Sequence, residues 1–231
     1  MNALACRSSS SDLEVPPMLS ARNITKRFPG VIALRDVTFD LRPGEIHSLC
    51  GENGAGKSTL IKLLSGVYPH GSYEGELFVD DQPVQFRSTA DSEAAGIAVI
   101  HQELALVDGL TVAENIFLGS EPSRFGLIDW GMVYREARAL LERFKVDIDP
   151  SARCEQLGIG QKQLVEIVKA LGKRSRILIL DEPTAALAEH EVQVLLGILR
   201  DLRAQGMGCI YISHKLEEVF AISDRITVLR D

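Results

Sequence analysis

The sequence predicts an α/β fold built on a parallel sheet, with a small antiparallel β-part beside it. Three observations carry this. Apolar strand segments alternate with amphipathic helical segments along the chain, the order that a parallel sheet with crossover helices requires. The segment Ile177-Leu-Ile-Leu180 is apolar at every position, as a strand covered on both faces must be. The run Gly51-Glu52-Asn53-Gly54-Ala55-Gly56-Lys57-Ser58-Thr59 fits the phosphate-cradling pattern Gly-x4-Gly-Lys-[Ser/Thr] and stands between an apolar strand and a helix.

The elements follow in order. Residues 1 to about 17 are Ser-rich and end in Pro16-Pro17, which predicts a disordered tail. Strands are expected at 18–24 and 37–41, the second with clean apolar alternation. A hairpin is expected from strands 76–79 and 84–86 around Asp80-Asp81-Gln82-Pro83. Strand 45–50 leads into the glycine-rich run, and Leu60-Ile-Lys-Leu-Leu64 opens a helix after it. A short buried strand is expected at 97–100. Helices are expected at 133–144, where Ala137, Leu140, Leu141 and Phe144 share a face, at 164–171, and at 192–202. Strands 177–180, 209–212 and 226–229 complete the sheet. There is no internal repeat.

At 231 residues the chain suffices for one large domain or two small ones. Composition is globular, 45% hydrophobic and 25% charged, and the net charge of −7 gives no reason to expect nucleic acid as a partner. Cys6, Cys50, Cys154 and Cys209 are scattered without a C-x-x-C pair, so they read as reduced thiols of a cytosolic protein and not as a disulfide frame or zinc site. No apolar run approaches the ~20 residues needed to cross a bilayer, and no signal-peptide pattern opens the chain. A membrane role is therefore expected to come through a partner subunit.

The glycines of the run 51–59 let the backbone turn tightly and present N–H groups to anionic oxygens. Lys57 can reach outer phosphates, Ser58 can ligate Mg²⁺, and the helix that follows turns its positive dipole end to the same place. Asp181 ends an apolar strand, where Mg²⁺ held through water would sit, and Glu182 can take a proton from an attacking water. Alone, such a pair is a turn with solvated charges; the phosphate loop upstream favours the chemical reading. His214, after strand 209–212, would lie at the carboxyl edge of the sheet and bond a γ-phosphate. Gln102, after strand 97–100, can coordinate Mg²⁺ and position water. A lone His or Gln is more often structural, so both assignments lean on their neighbours. Leu157-Gly158-Ile159-Gly160-Gln161 opens an amphipathic helix and offers a second anion site; in isolation it is a glycine-containing helix start.

Together these residues resemble the ATP-binding subunit of ATP-binding-cassette (ABC) transporters, over residues 18–231. The resemblance implies a RecA-like P-loop NTPase core with a parallel sheet, a small antiparallel β-subdomain and a helical subdomain inserted at about 103–173. It makes Gly51, Glu52, Asn53, Gly54, Ala55, Gly56, Lys57, Ser58 and Thr59 the Walker A loop and 177–182 the Walker B strand, with Glu182 as catalytic base. Gln102 stands at the Q-loop, Gly158, Gly160 and Gln161 in the signature, and His214 at the switch. Lys57, Gln102 and His214 assist Glu182, and Ser58, Gln102 and Asp181 face the metal. Phe28 falls where the family places a ring that stacks on adenine; the alternative is a loop-packing Phe. ATP and Mg²⁺ are the implied cofactors. Family cassettes dimerise head to tail, each ATP lying between one P-loop and the other signature. Residues 104–119 look like the face that receives coupling helices of the membrane subunits.

Two departures from the family pattern stand out. Gly158 and Ile159 occupy positions where the signature usually has Ser and Gly, and Ala188 ends a loop that usually ends in Asp. Such signatures are similar to those of bacterial monosaccharide importers, whose ATPase carries two cassettes in one chain. The loop Gly66-Val-Tyr-Pro-His-Gly-Ser-Tyr-Glu-Gly75 most resembles the xylose-importing members. This implies a first cassette with a second beyond Asp231, integral-membrane permease subunits, a periplasmic sugar-binding protein acting indirectly, and a peripheral place on the cytoplasmic face of the plasma membrane. The alternatives are a soluble ABC ATPase outside transport and a cassette with little hydrolysis of its own; a homodimer would pair each P-loop with the altered signature.

Overall fold

The computed structural model describes residues 16–100, 105–172 and 175–230. In chain order its elements are β1 (Leu19–Phe28), β2 (Val31–Leu41), β3 (Ile46–Gly51), α1 (Lys57–Leu64), β4 (Glu74–Val79), β5 (Gln82–Val84), α2 (Thr89–Ala94), β6 (Ile97–Ile100) and α3 (Val112–Phe117). There follow β7 (Ser123–Arg124), β8 (Leu127–Ile128), α4 (Trp130–Arg143), α5 (Ile159–Gly172), β9 (Ile177–Asp181), α6 (Glu189–Ala204), β10 (Gly208–Ile212), α7 (Leu216–Ile222) and β11 (Arg225–Leu229). The described residues fall into two compact units, one drawn from Met1–Val99, Arg176–Glu182 and Leu199–Asp231, the other from Ile100–Ser175 and Pro183–Ile198.

The first unit holds two sheets. The larger runs in the order β11-β3-β10-β9-β6. The β11–β3, β3–β10 and β10–β9 pairs are parallel, with Cys209 opposite both Ile46 and Leu178 and Ile212 opposite Asp181. β10 is buried at every position and β9 at all but its last, so continuous apolar sequence and central position coincide. The smaller sheet runs β2-β1-β4-β5 with antiparallel pairing. Leu19, Phe39 and Leu41 from it share one core with Leu49, Ile179 and Ile210 of the parallel sheet and Leu60, Ile61 and Leu64 of α1.

Several bounds differ from expectation for local reasons. The strands expected at 18–24 and 37–41 are parts of a longer β1–β2 hairpin turning at Pro29-Gly30. Its outer half carries Lys26, Arg27, Arg35 and Asp36, and Asn23 and Asp36 take left-handed φ angles of 55° and 50°, so bulges break the alternation that sequence patterning relies on. The turn expected over 80–83 tightens to Asp80-Asp81, at φ 49° and 59°, and Pro83 enters β5, an edge strand that tolerates a missing N–H. Glu45 lies just before β3 and not in it, its carboxylate bonded to Arg225 and to the Arg42 N–H. The helix after the glycine-rich run begins at Lys57, three residues before Leu60. α2, α3, α7 and the short β7 and β8 are not among the elements expected from the sequence.

In the second unit α3 packs on α4 and α5. α4 starts at Trp130, ahead of the expected 133, because the Asp129 carboxylate caps it by accepting from the Met132 N–H at 2.9 Å. It buries Val133, Ala137 and Leu141, while α5 buries Leu164, Val165 and Val168. α3 is closed by a reciprocal cap in which Thr111 N–H donates to Glu114 Oε2 at 2.7 Å and Glu114 N–H donates to Thr111 Oγ1 at 3.3 Å. The helical insertion expected at about 103–173 compares with a unit that also includes Pro183–Ile198. The tail expected at 1–17 lies, but for Pro16 and Pro17, outside the described residues, as does Leu104.

Candidate functional site

The glycine-rich run leaves β3 at Gly51 and enters α1 at Lys57. Gly51 takes φ 154° and Gly56 φ 96°, and a Cβ would strike the Leu229 carbonyl at 2.6 Å in the first case and the Ala33 carbonyl at 2.5 Å in the second. Glycine is thus required at both positions by backbone angle and by close backbone approach. Ala55 N–H donates to the Glu52 carbonyl at 3.2 Å, closing a turn inside the loop. The Lys57 ammonium folds back over this turn, donating to the Gly51 and Glu52 carbonyls at 2.6 and 3.0 Å. Ser58 is exposed and Thr59 half-buried in the first turn of α1, where N–H groups have no intrahelical acceptor. Cys50, behind the loop, has its thiol pKa raised by burial, an effect opposed by the nearby Lys57 charge.

Because β3, β10 and β9 run parallel as neighbours, their carboxyl ends open on one edge. Gly51 leaves there, Asp181 ends β9 there, and His214 follows β10 by two residues. Glu182 turns out of the sheet at φ 50°, and its N–H donates to the Ile212 carbonyl at 3.0 Å. Its carboxylate Oε2 stands 3.3 Å from His214 Nδ1, with His214 64% and Glu182 23% exposed. The turn bearing His214 is held by Ser213, which is buried, accepts from the Lys215 N–H at 3.0 Å and donates to Glu218 Oε2 at 3.3 Å. Tyr211 also donates to Glu218 Oε2, at 2.7 Å. Sequence reasoning missed Ser213, Tyr211 and Glu218, whose roles depend on a turn that no pattern announces.

Phe28 ends β1, half-buried, with the Tyr68 ring edge-on at a centroid distance of 5.6 Å. In the second unit, the run 157–161 leads into α5, which begins at Ile159. Gln161 turns back so that its Oε1 accepts from the Gly158 N–H at 3.2 Å. A Cβ on Gly160 would meet the Glu191 carboxylate, so a larger residue there must displace that side chain. Ile159 is 60% exposed. Gln102 lies outside the described residues.

A model of the ABC transporter family matches residues 34–185. The chain belongs to the ABC transporter family. This cassette is 60% identical over 214 residues to the xylose import ATP-binding protein XylG of Moorella thermoacetica, covering 93% of the chain and 42% of that protein. It is 57% identical over 216 residues to the ribose import ATP-binding protein RbsA 1 of Rubrobacter xylanophilus, covering 93% and 43%. The chain thus spans less than half the length of these curated relatives. Among solved structures, a nucleotide-free ATP-binding cassette from an ABC transporter is similar at TM-score 0.81 and 27% identity, over 93% of this chain and 88% of that one. A cassette in its ADP conformation is similar at TM-score 0.79 and 27% identity, over 93% and 87%. The α/β P-loop NTPase fold expected from the sequence is the fold of this cassette. Among the described residues no helix is long and apolar enough to cross a membrane.

Proposed function

We propose that this cassette binds and hydrolyses ATP and thereby powers import of a monosaccharide, a pentose such as xylose, through integral-membrane permease subunits at the cytoplasmic face of the plasma membrane. A periplasmic sugar-binding protein would deliver the sugar. The observation that carries the ATPase reading is the single sheet edge on which the 51–59 loop, Asp181, Glu182 and His214 meet. The sugar reading rests on relatives named for xylose and ribose import.

The backbone from Gly51 to Gly56 wraps the phosphates, and Lys57 exchanges its two loop carbonyls for outer phosphate oxygens. Ser58 and Asp181, with Gln102, offer hard oxygen donors suited to Mg²⁺, which when bound neutralises phosphate charge. Phosphate and water oxygens would complete that shell, as is usual for Mg²⁺ bound through few protein ligands. Glu182 takes the proton of the attacking water, and His214 orients that carboxylate through Nδ1. Phe28 stacks on the adenine. A second cassette, from a longer chain or another copy, closes over this cradle with its own signature, while Gly158, Gly160 and Gln161 serve the opposite site.

Lys57→Ala should weaken ATP binding by about tenfold or more, and equal affinity would remove the phosphate role of the loop. Glu182→Gln should still bind ATP yet hydrolyse it roughly 10²- to 10⁴-fold more slowly; unchanged turnover places the base elsewhere. Co-purification with a permease and uptake of labelled xylose test the transport half, and association with ribosomes or DNA instead would overturn it. A specific feature favours slow turnover by the isolated chain: the exposed apolar Ile159 and the hydroxyl-free Gly158 open α5.

A further inference from the structure

The loop 66–75 and the buried Lys26 are used by none of these roles, and they meet at Phe28. Lys26 is only 6% exposed. A buried ammonium is costly unless its charge is met. Its Nζ donates to the Ser72 carbonyl at 2.6 Å and lies over two rings, 4.8 Å from the centroid of Tyr68 and 5.2 Å from that of Phe28. Among the described residues no carboxylate pairs with it. The charge is therefore met by ring faces and one carbonyl, an arrangement that depends on where the rings stand. The loop that supplies Tyr68 and Ser72 is itself pinned. Tyr68 N–H donates to the Lys62 carbonyl in α1 at 2.9 Å, and His70 N–H donates to the Phe86 carbonyl at 2.7 Å. α1 begins at the phosphate loop and is about 12 Å long, so one rigid helix connects the cradle to the ring cluster.

We infer that Lys26 is a positioning residue for the nucleobase: clamped to Ser72, it holds Phe28 against Tyr68 and presets the ring on which the base stacks. This rests on Phe28 being the stacking face. It gives the 66–75 loop a role at the nucleotide site.

The test compares the affinities of ATP and inorganic tripolyphosphate for the full chain and for Lys26→Met, which keeps the volume and removes the charge. ATP should weaken by roughly five- to tenfold and tripolyphosphate by less than about twofold, because only ATP carries a base. Lys26→Arg, still cationic, should restore ATP affinity to within about twofold. Phe28→Ala is the control that separates the two ideas. If Phe28→Ala weakens ATP while Lys26→Met does not, the positioning role is wrong and base stacking stands. If Phe28→Ala leaves ATP affinity unchanged, base stacking fails and the inference falls with it. Equal losses of ATP and tripolyphosphate in Lys26→Met would assign Lys26 to general integrity and overturn the proposal. Should Lys26→Met not fold, Tyr68→Leu, which removes the supporting ring alone, must show the same ATP-selective loss.

Discussion

Two glycines of the phosphate loop have nearly the same backbone angle and different surroundings, which makes them a matched pair. Gly54 takes φ 94° and Gly56 φ 96°. A Cβ on Gly54 would meet nothing within 4 Å, whereas one on Gly56 would meet the Ala33 carbonyl at 2.5 Å and Leu34 Cδ2 at 2.7 Å. Gly54→Ala should therefore cost only the left-handed backbone, about 1–2 kcal/mol. Gly56→Ala carries the same backbone cost and must also push β2 away. Backbone cannot rotate aside as a side chain does, so overpacking adds about 1–3 kcal/mol. Loss of glycine freedom in the unfolded chain acts equally on both variants and cancels. For a chain of this size, 1 kcal/mol corresponds to roughly 2–4 °C, so Gly56→Ala should melt about 2–12 °C below Gly54→Ala in calorimetry without nucleotide. Equal midpoints, or the reverse order, would show that the approach of the loop to Ala33 does not constrain the fold.

His47 is buried, with Nδ1–H donating to the Asp40 carbonyl at 2.7 Å and Nε2 accepting from the Thr227 hydroxyl at 2.8 Å. Burial first, and Arg225 second, lower its pKa below the ordinary 6.5, against smaller opposing effects of Asp40 and Glu45. The unfolded chain then takes up the proton first, so this stability is complete above pH 6.5 and falls as pH drops below it. Urea titrations at pH 7.5 and 5 should show that loss in the native sequence and less of it in His47→Gln; an equal loss in both refutes the assignment. The Cys209 thiol is pushed up to about 12 by burial, so at pH 8 only about one molecule in 10⁴ carries a thiolate there. Peptide mapping after iodoacetamide should leave Cys209 unmodified until denaturant is added, and native labelling would contradict its burial. Gly160→Ala should dislodge Glu191 from the Ala188 N–H, which it accepts at 2.9 Å, and cost about 1 kcal/mol as a lost cap does. In a Glu191→Ala background the same substitution should cost almost nothing, so additive melting shifts would sink this account.

The elements legible in the sequence are those whose environment is uniform along their length. β9 and β10 are covered on both faces and read as unbroken apolar runs, and α4 and α5 each bury one stripe. The outer β1–β2 hairpin was not legible, because bulges at Asn23 and Asp36 shift which side chains face inward. α3 was legible in principle from Thr111 and Glu114, a capping pair three residues apart, yet its six residues are too few for a helical period to show. At the site, residues contiguous in sequence could be found, and so could carboxylates at strand ends. The cluster of Lys26, Phe28, Tyr68 and Ser72 joins positions up to 46 apart. The Arg225 guanidinium reaches Asp40 and Glu45 from 185 and 180 positions away. Such contacts are set by strand order, which local patterning does not contain.

The two halves of the proposed chemistry are prepared to different degrees. Glu182 holds a left-handed φ of 50°, which for a side-chain-bearing residue costs about 1–2 kcal/mol. It keeps that angle because its N–H is tied to the Ile212 carbonyl, the residue of β10 that also pairs with Asp181. His214 follows Ile212 by two residues, on a turn fixed by Ser213. The β9–β10 register therefore sets where the two backbones stand, and in the proposed chemistry the 3.3 Å approach of His214 Nδ1 to Glu182 Oε2 is already present before substrate arrives. Lys57 is the opposite case. Its ammonium is already satisfied by the Gly51 and Glu52 carbonyls and must trade at least one of them for a phosphate oxygen. In the proposed function, binding would then be the step that rearranges this cradle at Lys57, while Glu182 and His214 already stand together. Substitutions that loosen the β9–β10 ladder should lower turnover more than affinity, and those at Lys57 should lower affinity first.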